Sequence, residues 1–181
     1  MGKLYSYTYI SLDGIVGSPE RWVGPYFSPA LGDDLATRLS SAAAMVLGKT
    51  TYAEFSSFWP NQDSSVPFAE LNNGIKKLVV SATLRNTSWN NSSIVSAGDL
   101  ATYKTEGNLH VTGSGILVRS LLELGLLDEI VLVQFPVLLG GGQRAFEGIQ
   151  TTGLKHATTT EFPKGVQCIT YKPTQPSPNA A

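Results

Sequence analysis

The stretch Leu109-His110-Val111-Thr112-Gly113-Ser114-Gly115-Ile116-Leu117-Val118-Arg119-Ser120-Leu121-Leu122 decides the fold. Leu109 to Thr112 reads as a short strand. Ser114 to Gly125 reads as a helix, because Ile116, Leu117, Leu121, Leu122 and Leu124 recur at helical spacing and Gly125 supplies a stop. Between them Gly113-Ser114-Gly115 makes a turn in which Ser114 can cap the helix. Strand, glycine turn and helix in that order form the unit of an open α/β sheet, which gathers ligands outside the carboxyl ends of its strands. Backbone N–H groups of such a turn can approach a phosphate. The third glycine and later acid of the full dinucleotide fingerprint are missing, so a plain tight turn is an equal reading of this segment alone.

Working outward, three other strand ends have the same character. Lys3 to Ser11 alternates and is rich in tyrosine and β-branched residues, so it reads as a strand, running into Ser11-Leu12-Asp13-Gly14. Ala44 to Leu47 is a short buried strand that leads through Leu47-Gly48-Lys49-Thr50-Thr51-Tyr52 into a helix over Thr50 to Phe58, ended by Trp59-Pro60. Lys77 to Ser81 is a buried strand followed by Ser81 to Arg85. Residues 12 to 29, rich in glycine and proline, read as a long ordered loop of the kind that often forms a lid. Pro29 to Ala43 reads as a helix, with Leu31, Leu35, Leu39 and Ala42-Ala43 in phase and Asp33 and Asp34 in its first turn.

Asn86 to Ser93 reads as a polar turn region, Gly98 to Thr105 as a short helix, Glu129 to Pro136 as a strand and Val137 to Gly142 as a glycine-rich connection. Lys155 to Phe162 and Gly165 to Lys172 form a closing antiparallel hairpin turned at Pro163-Lys164-Gly165. The pattern predicts an α/β fold: a mixed, mostly parallel sheet with helices on both faces and an antiparallel C-terminal edge. It predicts a single domain over residues 1–173 and a flexible polar tail over 174–181.

At 181 residues the chain can bury a full core, and its 42% apolar content is ordinary for a globular protein. A net charge of −1 gives no general pull toward nucleic acid or an anionic membrane. The apolar runs are too short to span a bilayer, and the N-terminus has no signal-peptide core, so the cytoplasm is the expected location. A lone Cys168 excludes an internal disulfide framework. No metal site is expected, since His110 and His156 have no partners at ligand spacing.

The candidate chemistry sits at the turns, each with a plainer alternative. Lys49 beside the Thr50 and Thr51 caps can hold a phosphate, or be a solvated lysine. Ser81 and Thr83 with Arg85 can receive the 2′-phosphate of an adenosine ribose, or be a polar turn. Asp33 and Asp34 can donate a proton, or merely complement the helix dipole. Trp22, Tyr26 and Phe27 can stack on a flat heterocycle, or pin the long loop to the core.

Taken in order, these segments resemble the dihydrofolate-reductase-like superfamily. They are most similar to the group related to the C-terminal reductase domain of the bacterial riboflavin-biosynthesis deaminase-reductase. Gly113 to Leu122, Gly125-Leu126-Leu127-Asp128-Glu129-Ile130, Pro136 to Gly142 and Phe146 carry the resemblance most specifically, and it spans roughly residues 3 to 172. It implies a three-layer α/β/α sandwich, often a homodimer, with NADPH across the strand ends. Gly48, Lys49 and Thr50 match the segment that meets the cofactor phosphates. Ser81, Ala82 and Thr83 match the segment around the 2′-phosphate. Gly113, Ser114, Gly115 and Ile116 match the pyrophosphate turn, and Ile15, Val16 and Gly17 the loop beside the nicotinamide. An acid on the first helix, at the place of Asp33 or Asp34, contacts the pterin in dihydrofolate reductases.

The chain departs from the pattern at three positions. Lys49 stands where an arginine is usual, which turns a planar fork into a point charge. Ala82 stands where a second arginine is common. Thr112 replaces the glutamate carried by riboflavin-pathway enzymes. The resemblance implies a reductase that transfers hydride from NADPH to a C=N or C=O of a small heterocycle, a pteridine or a riboflavin-precursor-like pyrimidine. Its proton would come from Asp33, Asp34 or water. The alternatives are a non-catalytic nucleotide-binding protein on the same fold and an oligomeric scaffold that binds neither.

Overall fold

The computed structural model describes residues 1–174, so the expected tail lies, apart from Thr174, outside the described residues. Among the described residues eight strands form one sheet: β1 (Leu4–Ser11), β2 (Ala42–Gly48), β3 (Lys77–Val80), β4 (Ser92–Val95), β5 (Asn108–Thr112), β6 (Glu129–Phe135), β7 (Leu154–Phe162) and β8 (Val166–Pro173). Their order across the sheet is β4-β3-β2-β5-β1-β6-β8-β7. The first six run parallel and the β7–β8 hairpin is antiparallel at one edge. The expected α/β fold with its antiparallel C-terminal hairpin is the fold observed.

Helices cover both faces, and strand alternation decides which residue meets which. α1 (Pro29–Ser40), α2 (Lys49–Phe58) and α3 (Ala69–Gly74) lie on one side, α4 (Leu100–Tyr103) and α5 (Gly115–Glu123) on the other. Ala44 and Val46 of β2 join Leu117, Val118, Leu121 and Leu122 of α5, while Met45 and Leu47 point the other way, to Leu39 and Tyr52. Fully burying one such leucine contributes about 1.5–3 kcal/mol.

Two boundaries differ from expectation. Ala42-Ala43 belongs to β2 rather than to the first helix. Ser41 ends that helix, its N–H returning to the carbonyls of Thr37 and Leu39. Alanine suits either state, and pairing of β2 with β3 and β5 decides. β4 and α3 had no expectation at all. β4 is an edge strand of sequence Ser-Ser-Ile-Val whose first two residues fall in what reads as a polar turn region. α3 is six residues entered through Phe68, a non-glycine at φ 68°. Neither is long enough to show a period.

Because β1 to β5 are parallel, the turns after β1, β2, β3 and β5 emerge at one edge of the sheet. The core thus presents the four strand-end segments side by side.

Candidate functional site

The turns after β2 and β5 touch. A Cβ on Gly48 would lie 2.6 Å from Ser114 Oγ, so only glycine allows the approach. Gly113 and Ser114 both have positive φ, 63° and 50°. That geometry lets Ser114 Oγ accept the Leu117 N–H at 3.3 Å and cap α5. The turn after β3 joins them: Lys49 Nζ donates to Thr83 Oγ1 at 3.1 Å, and Ser81 Oγ accepts the N–H groups of Thr83 and Leu84.

Two cavities open along this edge. One, of about 600 Å³, is lined by Gly48, Lys49, Thr50, Ser81, Ala82, Ser114 and the 94–99 segment with Asp99. The other, of about 420 Å³, lies between the long loop, α2 and the ends of β1 and β5. Thr50, Ser114 and Ile116 line both, so the two form one continuous cleft over the start of α5.

The loop after β1 is strapped over that cleft. Val16 N–H donates to Gln143 O, Ala145 N–H to Gly14 O, and Leu12 N–H to Val137 O, each near 3 Å. Asp13 secures the strap: its carboxylate accepts from the Ser11 hydroxyl and from the N–H groups of Gly140 and Leu139. These donors, Ser11 first, hold its pKa down at about 2. Asp13→Ala is expected to raise amide hydrogen exchange at Leu139 and Gly140 about tenfold or more while leaving β1 protected. Unchanged exchange at those two amides would show that the carboxylate does not hold the segment.

The second cavity has a polar floor and aromatic walls. Tyr7, Tyr9, His110 and Thr112 come up from β1 and β5, and Phe55, Trp59 and Phe68 stand around them. Tyr9 Oη, His110 Nε2 and Thr112 Oγ1 are buried and have no hydrogen-bond partner among the described residues. Buried polar atoms are nearly always paired, so three unpaired ones around a cavity mark a place for a ligand.

Burial, with Arg38's charge behind it, pushes the His110 imidazole down to about 3. The depressed folded-state value means the unfolded chain binds the extra proton first. The stability His110 supplies is complete above its unfolded pKa, about 6.5, and is lost as pH falls toward 3. From pH 6.5 to 5 the loss should be about 2 kcal/mol, measurable by urea unfolding, and His110→Gln should flatten that slope. An equal slope in wild type and variant would contradict it.

The expected cofactor residues come together. Gly48, Lys49, Thr50, Ser81, Ala82, Ser114 and Ile116 line the first cavity, and Val16, Gly17, Gly113 and Gly115 the second. Thr83 joins through Lys49, and Ile15 is buried beneath the strap at 2% exposure.

The expected substrate residues gather in the core and not at the cleft. Trp22, Tyr26 and Phe27 pin the loop to the core instead of lining a cavity. The Trp22 indole N–H donates to Gly17 O, and the rings of Trp22 and Tyr26 stand edge-on to Phe135. The loop turns its aromatic side inward because β6 and β8 leave apolar surface there. Asp33 is exposed on α1, and Asp34 is ion-paired to Arg38 at 2.7 Å while accepting from the Tyr7 hydroxyl. Neither carboxylate lines either cavity.

His110, Phe55, Trp59, Phe68 and Asp99 were missed from sequence. His110 lies two residues before Thr112 and so shares its strand face, a signal available in the sequence. Phe68 and Asp99 are the N-cap residues of α3 and α4, helices of six and four residues, and nothing in their spacing marks them as cavity-lining.

The sequence profile of the RibD C-terminal domain matches residues 3–168. No curated protein matches the sequence significantly. A Shewanella sp. PV-4 protein named for riboflavin biosynthesis superposes with a TM-score of 0.77 at 19% identity, covering 96% of this chain and 99% of its own. A pyrimidine reductase-like protein from Corynebacterium diphtheriae gives 0.67 at 16% identity, over 97% of this chain and 93% of its own. The diaminohydroxyphosphoribosylaminopyrimidine deaminase/5-amino-6-(5-phosphoribosylamino)uracil reductase of Thermotoga maritima gives 0.66 at 13% identity, over 96% of this chain but 57% of its own. At these identities the solved structures share the fold.

Proposed function

The chain belongs to the RibD C-terminal domain family, and on that premise we propose that it is a reductase using NADPH to deliver hydride to a C=N or C=O of a small heterocycle. The observation that carries the reading is the continuous cleft whose cofactor half is made of glycine turns and whose far half ends in three unpartnered polar atoms. The residues fit the cofactor. Gly48 and Gly113 let the turns pack against Ser114 and Thr51, Ser114 caps a nine-residue helix whose N-terminus favours an anion, and Lys49 adds a cation on the same side.

When bound, the nicotinamide supplies the hydride, and the protein supplies the rest. Lys49, Thr50, Ser81 and Thr83 hold the phosphate end. Val16, Gly17 and Gly115 line the reacting end. The floor of Tyr7, Tyr9, His110 and Thr112 orients the acceptor. Asp34 acts as a positioning residue through Tyr7, and the proton that completes reduction comes from water at the cleft mouth. The homodimer expected from the resemblance also stays a proposal, supported by β7, whose residues 154–161 are exposed along a free sheet edge.

Asp99 favours a second reading, NADH. Its carboxylate lines the cavity that would receive the 2′-phosphate, and Ala82 adds no charge there. Titration of wild type and Lys49→Ala separates the readings. We expect the variant to bind NADPH about tenfold more weakly and NADH nearly unchanged. Equal losses for both would place Lys49 on the shared pyrophosphate, and no loss would remove it from the site.

A further inference from the structure

We infer that the second cavity takes an uncharged, unphosphorylated flat heterocycle whose ring N–H is donated to His110 Nε2. This deepens the reductase reading of the same cleft and rests on it.

The two contacts of the Tyr5 hydroxyl point to one state of His110. The Tyr5 hydroxyl donates its only proton to the Arg38 carbonyl at 3.2 Å. Its 3.1 Å contact with His110 Nδ1 then requires Nδ1–H as the donor. A neutral imidazole has one N–H, so Nε2 is left as a bare acceptor. His110 is fully buried at the floor of the cavity, and burial keeps the ring neutral far below physiological pH. An acceptor held in this way calls for a donor, and none is provided among the described residues.

The groups beside it suit one edge of a heterocycle. Thr112 lies two residues along β5 on the same face, paired in register with Tyr7, and Tyr9 follows on β1. The Thr112 and Tyr9 hydroxyls are unpartnered among the described residues and follow His110 in the same direction along the sheet, so they can donate to acceptors further along the same ring edge. Phe55, Trp59 and Phe68 supply flat walls, and Phe68 is held there at a φ of 68° that a bulky residue rarely adopts.

Charge sets the limit on the ligand. Among the residues lining this cavity there is no lysine or arginine, and the ionisable carboxylate is Glu54. Arg38 is turned to Asp34, and Lys49 lines the other cavity and donates to Thr83. A phosphate carried into this space would lose water and gain no cation.

The test uses the full chain and two compounds that differ by one phosphate: 5-amino-6-(5-phosphoribosylamino)uracil and the same molecule without its phosphate. Binding is followed by tryptophan emission, since Trp59 stands in the wall, and hydride transfer separately by loss of NADPH absorbance. The unphosphorylated compound is expected to bind about tenfold or more tightly than its phosphate. His110→Leu should lose about tenfold of that affinity, and His110→Gln, which restores an acceptor, should recover most of it, with thermal melting confirming that both fold. Equal or tighter binding of the phosphate overturns the inference, as does wild-type affinity in His110→Leu or no binding of either compound. Preference for the unphosphorylated compound without hydride transfer would leave this inference standing and remove the reductase reading.

Discussion

Gly48→Val is expected to abolish measurable cofactor binding and to lower the melting temperature. A Cβ at this position would sit 2.6 Å from Ser114 Oγ and 3.2 Å from Ser114 Cβ, in the second of two turns that meet over the cleft. Ser114 is itself at a positive φ and fixed by capping α5, so it cannot yield without giving up the cap. Losing that cap costs about 0.5–2 kcal/mol, and overpacking adds about 1–3 kcal/mol. For a chain of this size a loss of about 2–4 kcal/mol lowers the melting temperature by roughly 5–15 °C. The same displacement closes the space between the phosphate-facing turns, so NADPH affinity should fall about 100-fold or more. Calorimetry and cofactor titration on one preparation read both effects. A folded variant with wild-type affinity would show that the touching turns are not where the cofactor lies.

Phe135→Ala is expected to give the largest loss of stability. Phe135 is fully buried at the end of β6, with the rings of Tyr9, Trp22 and Tyr26 edge-on around it at 5.4, 5.5 and 6.2 Å between centroids. Truncation leaves a cavity beneath both β1 and the loop, at a cost of about 3–5 kcal/mol. The effect should reach the cleft, because Trp22 also holds Gly17 through its indole N–H. Urea unfolding should register the loss, and native tryptophan emission should shift to the red as Trp22 loses its wall. A loss under about 1.5 kcal/mol would mean that the loop is carried by its backbone bonds to residues 137–145 rather than by its aromatic anchor.

The parts of this molecule that were legible in the sequence are those where one local rule acts. The period of α5, the glycine turn before it and the Pro163-Lys164-Gly165 hairpin turn required no knowledge of the rest of the chain. The cofactor half of the cleft follows from such turns, because parallel strands bring their carboxyl ends to one edge. The substrate half does not. Whether Trp22 faces a ligand or the core depends on Phe135, more than a hundred residues away, and its amphipathic ring suits either place. Asp34 looks free on a helical wheel, yet Arg38 one turn on and Tyr7 on β1 claim it. His110 is unremarkable by spacing. Only the packing of Tyr5 against it, and the absence of a partner for its second nitrogen, mark it out.

The most direct test is titration of the wild-type protein with NADPH and with NADH, read by energy transfer from its tryptophans, with Trp59 in the cleft wall. Micromolar binding of NADPH, tighter than that of NADH, is the expected result. Absence of binding by either up to about 1 mM would contradict it and leave the fold without the cofactor chemistry proposed for its cleft.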